Sequence, residues 1–389
     1  MSGIKITDVL KKYSMVIALV LVVIFFQIAT GGKILFAQNI NNLISQNAYV
    51  FVLAAGMLLC ILTGGNIDLA CGSVVCFAGG LGAVMMDRDV NAWVAVLAML
   101  LCGAIIGAWQ GYWIAYFNVP PFIATLSGMY AFRGLANVVL QGFTVGIDNE
   151  TFLNVFGGGA DCYIPDFAHG ATFNTTCMIA GIAIAVIYVV LVLRNRISAK
   201  ANGYEVDPLV SVLVKTIIIC VVIVWLFYKL ANYKGIPTSL IWIALVLLVY
   251  SYITTRTTIG RYLYAVGGNE KATRLSGIDS RKVYFFAYVN MGLMAGLGGI
   301  LTIARATQAQ PTFGQGYEMD AIAACFIGGA SAYGGEGGIF GVIIGAVLMG
   351  VINQGMSIMG IDANYQKVVK GLVLLFAIIF DVMSNKKKK

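Results

Sequence analysis

Charge is what this sequence has least of: Asp, Glu, Lys and Arg make up 11% of its 389 residues, against 60% hydrophobic ones. A surface wetted on all sides needs far more charge, so an ordinary water-soluble fold is excluded. Histidine is nearly missing. His169, the single one, is expected in a solvated loop, and its isolation removes histidine-rich metal chemistry, Ser/His pairs and the H-E-x-x-H pattern. An intramembrane enzyme is thereby disfavoured. No stretch matches G-x-x-x-x-G-K-[ST], since Gly31-Gly32-Lys33 lacks both the upstream glycine and the hydroxyl, so nucleotide hydrolysis is not expected of this chain. The alternating strand pattern of a membrane barrel is absent too. Eight cysteines (Cys60, Cys71, Cys76, Cys102, Cys162, Cys177, Cys220 and Cys325) sit mostly inside apolar runs without metal-ligand spacing, as small buried hydrophobes do. Cys162 and Cys177 are the one candidate for a disulfide, on the outer face.

What the sequence has in abundance is long apolar runs, with a mean hydropathy of +0.88. At about 20 residues per crossing, they predict an all-α, polytopic integral membrane protein. Helices are expected near 13–30, 44–63, 68–86, 92–117, 122–141, 171–193, 210–230, 237–254, 283–304, 318–333, 338–358 and 366–383. That gives twelve, or ten if interrupted candidates are discounted, in a single domain over residues 1–389. The first run is too long for a signal peptide and lacks a small-residue cleavage site.

Net charge is +8, which in a soluble domain would suggest nucleic acid; here its placement matters more. Most Lys and Arg cluster at Lys5, Lys11 and Lys12; at Arg194, Arg196, Lys200 and Lys215; over residues 255–282; and at Lys386 to Lys389. The loop from Gly142 to Gly170 instead carries Asp148, Glu150, Asp161 and Asp166 with no Lys or Arg. Positive loops remain in the cytoplasm, so both termini, the Arg194 loop and residues 255–282 are expected there.

Glycine punctuates the apolar runs. "TGGNIDLA" (Thr63 to Ala70) and "GGEGG" (Gly334 to Gly338) break helices, and unwound backbone at membrane depth is tolerated only when buried in protein or lining a watery cavity. Gly103, Gly107 and Gly111, then Gly337, Gly341 and Gly345, and the pair Gly292 and Gly296 recur every four residues, which predicts close helix packing. The stretch "TTIGRYLYAVGGNEKATRLSGIDSRK" (Thr257 to Lys282) is far longer than the 2–8 residues that usually join helices. Its glycines are expected at bends, with a short helix over Asn269 to Leu275, Asn269 as N-cap and Glu270 in the favourable first turn. A partner is expected to dock there.

This stretch resembles the cytoplasmic coupling-loop pattern T-x-x-G-R-x-x-x-A-x-G-G-N-x-x-A-x-R-L-S-G-I of bacterial sugar-uptake ABC transporter permeases of the ribose, galactose and xylose class. "GGNIDLACGSV" (Gly64 to Val74), "VPPFIATLSGMYAFRGLA" (Val119 to Ala136) and "YEMDAIAACFIGGASAYGGEGGIFGVIIGA" (Tyr317 to Ala346) resemble further elements of that class, in order along almost the whole chain. The extra helix pair containing Val210 to Leu230 is closest to the xylose or multiple-monosaccharide branch. Ala70 and Cys71 depart from the usual Ser-Val, and Ala330 stands where Thr is common.

The resemblance implies a permease fold like that of the vitamin B12 and branched-chain amino acid importers. It implies a second copy of the permease, a cytoplasmic ABC ATPase that carries ATP and Mg, and an external sugar-binding protein that delivers a monosaccharide; no cofactor belongs to this chain. Gly260, Arg261, Gly267, Asn269, Ala272, Arg274 and Gly277 are then the expected ATPase-coupling residues. Charged groups inside a membrane cost about 2.5–3.5 kcal/mol each on translocon scales, which singles out Asp68, Arg133, Glu318 and Asp320. Asp68 and Arg133 are expected to organise the pathway or to pin the broken helices, by pairing. Asn66, Asp68, Thr125, Arg133, Asn290 and Asn353 are candidates for the translocation pathway, and Gln46, Asn47 and Asn137 are further polar groups able to face a sugar. Each could instead bond helix to helix. The competing class is an ion-coupled secondary transporter, for which Asp68 is the one strong relay carboxylate; within the same fold, branched-chain amino acids and nucleosides are alternative cargoes.

Overall fold

Without water to satisfy backbone amides, apolar segments close their hydrogen bonds within themselves, and each of the twelve expected segments contains a helix, though fewer than the expected ten or twelve are long enough to cross a membrane. The computed structural model describes residues 14–168, 173–204, 206 and 208–386. His169, Lys5, Lys11, Lys12 and Lys387 to Lys389 lie outside the described residues. The helices are α1 (Ser14–Ala29), α2 (Ala37–Gln46), α3 (Ala48–Leu62), α4 (Cys71–Asp87), α5 (Ala92–Phe117), α6 (Pro121–Leu140), α7 (Glu150–Phe156), α8 (Thr175–Ala201), α9 (Leu209–Ala231), α10 (Thr238–Arg256), α11 (Thr258–Gly268), α12 (Glu270–Leu275), α13 (Ser280–Ala306), α14 (Tyr317–Ile327), α15 (Ile339–Ile358) and α16 (Ala363–Lys386). Seven of them, α5, α6, α8, α9, α10, α13 and α15, are long and apolar enough to cross a membrane. The pair α2 and α3 forms an eighth, bent by 43° at Asn47. The chain is an all-α polytopic bundle.

Helix α13 is the axis of that bundle, packed on α3, α4 and α5. The expected glycine stripe makes this contact. A Cβ at Gly103 would land on the Gly292 carbonyl, and one at Gly107 on the Tyr288 carbonyl. The second stripe joins α14 to α15, where Gly341 and Gly345 leave room for the Gly328 and Ala324 carbonyls. In lipid no hydrophobic force draws helices together, so association depends on this kind of van der Waals fit between backbones.

Helices α8 and α9 form a peripheral hairpin that faces outward along nearly its whole length. Its two members lock through Phe227 packed against Gly181, and Cys177 Sγ donates to the Phe227 carbonyl at 3.4 Å. Cys162 and Cys177 are therefore buried free thiols, and the candidate disulfide does not form. Helix α8 also runs to Ala201, so Arg194, Arg196 and Lys200 occupy its last turns and not a loop. Cations favour that end of a helix because its carbonyls carry the negative pole.

The acidic loop holds more structure than its composition suggests. Asn149 Oδ1 accepts from Phe152 N at 2.9 Å to cap α7, whose Phe152 and Phe156 are buried, with Trp242 stacked on Phe156 at 5.0 Å. Beside it β1 (Val145–Gly146) pairs antiparallel with β2 (Gln308–Ala309) just after α13.

Because backbone meets backbone at Gly107, Gly107→Val should overpack the α5–α13 contact and lower stability by about 1–3 kcal/mol. A Cβ at Gly134, on α6, would meet nothing, so Gly134→Ala should be neutral or stabilising by up to about 1 kcal/mol. Thermal unfolding of the protein in nanodiscs checks both; an unshifted melt for Gly107→Val would contradict the packing argument.

Candidate functional site

Both glycine breaks pack against other parts of the chain, with Gly64 and Glu336 reaching the surface. After α3, the chain unwinds at Thr63 and climbs alongside that helix, where the Asp68 amide donates to Met57 Sδ at 3.4 Å, until α4 begins in mid-bundle. Asp68, 2% exposed, accepts from Ala70 N at 2.7 Å at the positive end of α4. The other half-helix is α14. At 11 residues it rises about 16 Å, roughly half the hydrocarbon thickness, and it ends at Ile327, short of the expected 333. Its first turn carries Glu318 and Asp320, and anions are favoured at that pole as well. The two N-termini meet at Gly72, which has no side chain to hold off the Gly314 carbonyl and the Glu318 carboxylate.

No ion pair joins Asp68 to Arg133. The Arg133 guanidinium instead donates to the carbonyls of Phe313 (2.5 Å) and Pro311 (3.4 Å), holding the loop that leads into α14. The charge inside the bundle is balanced elsewhere. Lys370 Nζ, on α16, reaches Asp320 Oδ2 at 2.8 Å, and the same oxygen accepts from Tyr49 OH (2.7 Å) and Asn353 Nδ2 (3.4 Å), while Asn353 also donates to Asn47 Oδ1 at 3.1 Å. Four helices, α3, α14, α15 and α16, and the α2–α3 bend converge on one fully buried carboxylate. Lys370 was not singled out by sequence; the signal was a lone lysine in "VVKGLVLLF", which needs a buried acid to be stable there.

The remaining pathway candidates divide. Asn290 Oδ1 accepts from Tyr250 OH at 3.2 Å, and Thr125 Oγ1 donates to the Pro121 carbonyl at 2.8 Å; these are helix-to-helix and within-helix bonds. Asn137 is exposed and donates to the Arg133 carbonyl. Asn66 lines a cavity of about 200 Å³ together with Asn118, Glu270, Arg274 and Tyr284.

That cavity lies under the basic elbow. Residues 257–275 form two helices, not a loop with one helix: α11 folds back from α10 because a Cβ at Gly260 would strike the Ile253 and Thr254 carbonyls, and Thr257 Oγ1 caps it by accepting from Gly260 N at 3.1 Å. Asn269 Oδ1 caps α12 as expected, accepting from Ala272 N at 3.0 Å. Gly267 and Gly268 therefore lie in α11, and among the elbow's expected bends only Gly277 takes a positive φ, +85°. Gly260 and Gly267 pack inward, against the chain's own carbonyls; Arg261, Asn269, Ala272, Arg274 and Gly277 are exposed. Arg274 is tied back on Glu270 (2.6 Å) and Ser280 (2.6 Å).

The elbow is fastened directly to both breaks. Tyr264 OH donates to the Gly337 carbonyl at 2.8 Å, and burial raises the phenol pKa further above its ordinary value. Gly267 abuts the Leu62 carbonyl and the Gly335 amide, which are themselves bonded at 3.0 Å. A Cβ at Gly65, where φ is +75°, would overlap the Ala332 carbonyl. At the tip of α12 stands Leu275, 91% exposed, beside a groove of about 480 Å³ lined by Asn118, Arg274 and Asp279. Its position at the end of an otherwise polar six-residue helix was the signal, missed because a single leucine has no periodicity.

A family model described as branched-chain amino acid transport system / permease component matches residues 39–378. The chain is 36% identical over 385 residues to a xylose transport system permease protein of Haemophilus influenzae, covering 97% of this chain and 98% of that one. It is 32% identical to a xylose transport system permease protein of Escherichia coli K12 (99% and 95% covered) and 34% identical to a ribose import permease protein of the same strain (90% and 87%). No solved structure matches.

Removing one member of the buried pair should be far worse than removing both. Lys370→Met strands the Asp320 carboxylate and should cost about 3–5 kcal/mol, whereas Lys370→Met combined with Asp320→Asn should recover most of that loss. Melting temperatures of the two variants check this; equal losses would show that the pair is not coupled.

Proposed function

The chain belongs to the branched-chain amino acid transport system / permease component family, and from that premise we propose that it is the membrane subunit of a binding-protein-dependent ABC importer whose cargo is a monosaccharide, a xylose-like pentose first. The relatives' names and the near-complete coverage of both chains support the cargo. Cytoplasmic placement of the basic elbow follows from the positive-inside tendency and puts the protein in the bacterial cytoplasmic membrane with both ends inside. In that assembly two copies pair, an ATPase docks from the cytoplasm, and a sugar-binding protein delivers from outside.

The observation that carries this reading is the elbow's construction. Leu275 and Arg261 project from a surface that is rigidly joined, through Tyr264 and Gly267, to the ends of both broken helices. A large apolar side chain standing exposed at the tip gains by leaving water against a partner. ATP-driven closure of the partner would press on α11 and α12. Since Gly267, Leu62 and Gly335 meet backbone to backbone, with no flexible side chain between them to absorb displacement, the push reaches α3, α14 and α15 together. The bundle then exchanges inward-open and outward-open forms as a rigid-body rearrangement. The gate and not the chemistry is this chain's part; energy comes from ATP hydrolysed by the partner.

The interior carboxylate with the strongest partner, Asp320, is neutralised by Lys370, which suits a structural clamp better than an ion relay. The competing secondary transporter needs a titrating group open to water.

Two measurements test the proposal. Among monosaccharides offered with the binding protein, D-xylose should stimulate ATP hydrolysis by the assembled complex; stimulation by none of them would defeat the sugar assignment. Arg261→Glu and Leu275→Asp should insert normally yet lose ATPase association and uptake, by about 2 kcal/mol or more of docking energy each if they are hot spots. Co-purification at wild-type yield would rule the elbow out as the docking point.

A further inference from the structure

At the end of the bundle opposite the elbow lies a cavity of about 280 Å³. Its position follows from two helices: α3 starts beside it at Ala48 and ends under α11 at Leu62, and α13 starts beside α12 and ends at the cavity with Arg305 and Ala306. The bend at Asn47 borders it, with the buried Ser45 and the exposed Gln46 on one wall; Thr302 and Arg305 form the opposite wall. Phe313 and Tyr317 close a third side, with Tyr317 stacked on Tyr49 at 3.6 Å and 12°.

One group there is out of place. Arg305 Nε is buried without a hydrogen-bond partner, and the guanidinium forms no ion pair among the described residues. An unsatisfied buried donor on a charged group is expensive and calls for an explanation. Asp320, the buried carboxylate of α14, is already taken by Lys370, Tyr49 and Asn353. Tyr49 therefore has a fixed hydroxyl and offers only its ring.

We propose that this cavity is a reception site for one neutral monosaccharide, the Arg305 fork and the Gln46 amide bonding adjacent ring hydroxyls while the Tyr317–Tyr49 stack and Phe313 cover the apolar face of the ring. The proposal rests on the transport reading above and adds where the cargo is first held. The volume corresponds to roughly nine waters at about 30 Å³ each, enough for one sugar ring. A guanidinium presents two parallel N–H groups, the spacing that a vicinal diol accepts. Donors and acceptors of both kinds line the wall with a single charge among them, which suits a polyhydroxylated neutral cargo. Binding at such a site is weak, as release toward the far side requires. The site lies at the outer end in the proposed orientation, where a binding protein would dock. It also shares Tyr49 with the Asp320 network, so its shape is tied to the half-helix α14 that the elbow moves.

The test uses the full complex of permease, ATPase and binding protein in proteoliposomes, with D-xylose as probe. Arg305→Met and Gln46→Leu should each lower import at saturating binding protein by about tenfold, the cost of one lost bond to a charged or polar partner. ATP hydrolysis stimulated by the loaded binding protein, and the melting temperature of the complex, should not move. Arg305→Lys, which keeps the charge without the fork, should recover part of the import. Import within about twofold of wild type in both variants overturns the site, and so does loss of import in step with loss of melting temperature, which would mark Arg305 as structural. A wild-type complex that responds to docking yet imports no monosaccharide overturns the transport reading itself, and that failure appears before any variant is made.

Discussion

Close approach of backbone to backbone is the constraint on which this molecule depends. In a bilayer, side chains gain nothing by leaving lipid for each other, so helices stay together where glycine lets their main chains touch. The same device appears three times with different consequences. Between α5 and α13 it builds the axis. Between α14 and α15 it folds a half-helix against its neighbour. At Gly65, Gly267 and Gly335 it joins the elbow to both breaks. Contacts of this kind hold at one separation only, because a methyl group's displacement already produces overlap. A bundle built from them moves as blocks.

Charge compensation sets which blocks those are. The Asp320 carboxylate takes bonds from Lys370, Tyr49 and Asn353, so α14 cannot shift without carrying α3, α15 and α16 or breaking a buried pair. Arg133 adds α6 by holding the carbonyls just ahead of α14. The outer hairpin α8–α9 packs chiefly on itself. Motion is thereby expected in the core around α14, with the periphery following lipid.

The proposed function joins these features into one path. Force enters at Arg261 and Leu275, passes Tyr264 and Gly267 to the broken helices, and arrives at α14, whose outer end shapes the cavity containing Arg305 and Tyr317. The distance from elbow to cavity is bridged by α3, buried along its whole length, and by α13, buried from Met294 to Ala304. Rigid rods between two sites are what an alternating gate needs.

The twelve apolar segments, the glycine stripes, the Asn269 cap and the family resemblance were all legible in the sequence, because each depends on residue type and spacing within one stretch of chain. Hydropathy of 18–25 residues, a four-residue period and a local Asn-to-amide bond require no knowledge of the neighbours. Partner choice was not legible. Arg133 faced Asp68 on paper and holds carbonyls in the fold; Asp320 waited for Lys370, fifty residues away; α14 ended early because its Gly-rich continuation is needed against α3 and α11. By itself the sequence determined a membrane bundle with interruptions and a long basic elbow. Only the tertiary structure decided which buried charges meet and which glycines face carbonyls, since pairing in a low-dielectric interior depends on distance and direction between segments remote in the chain.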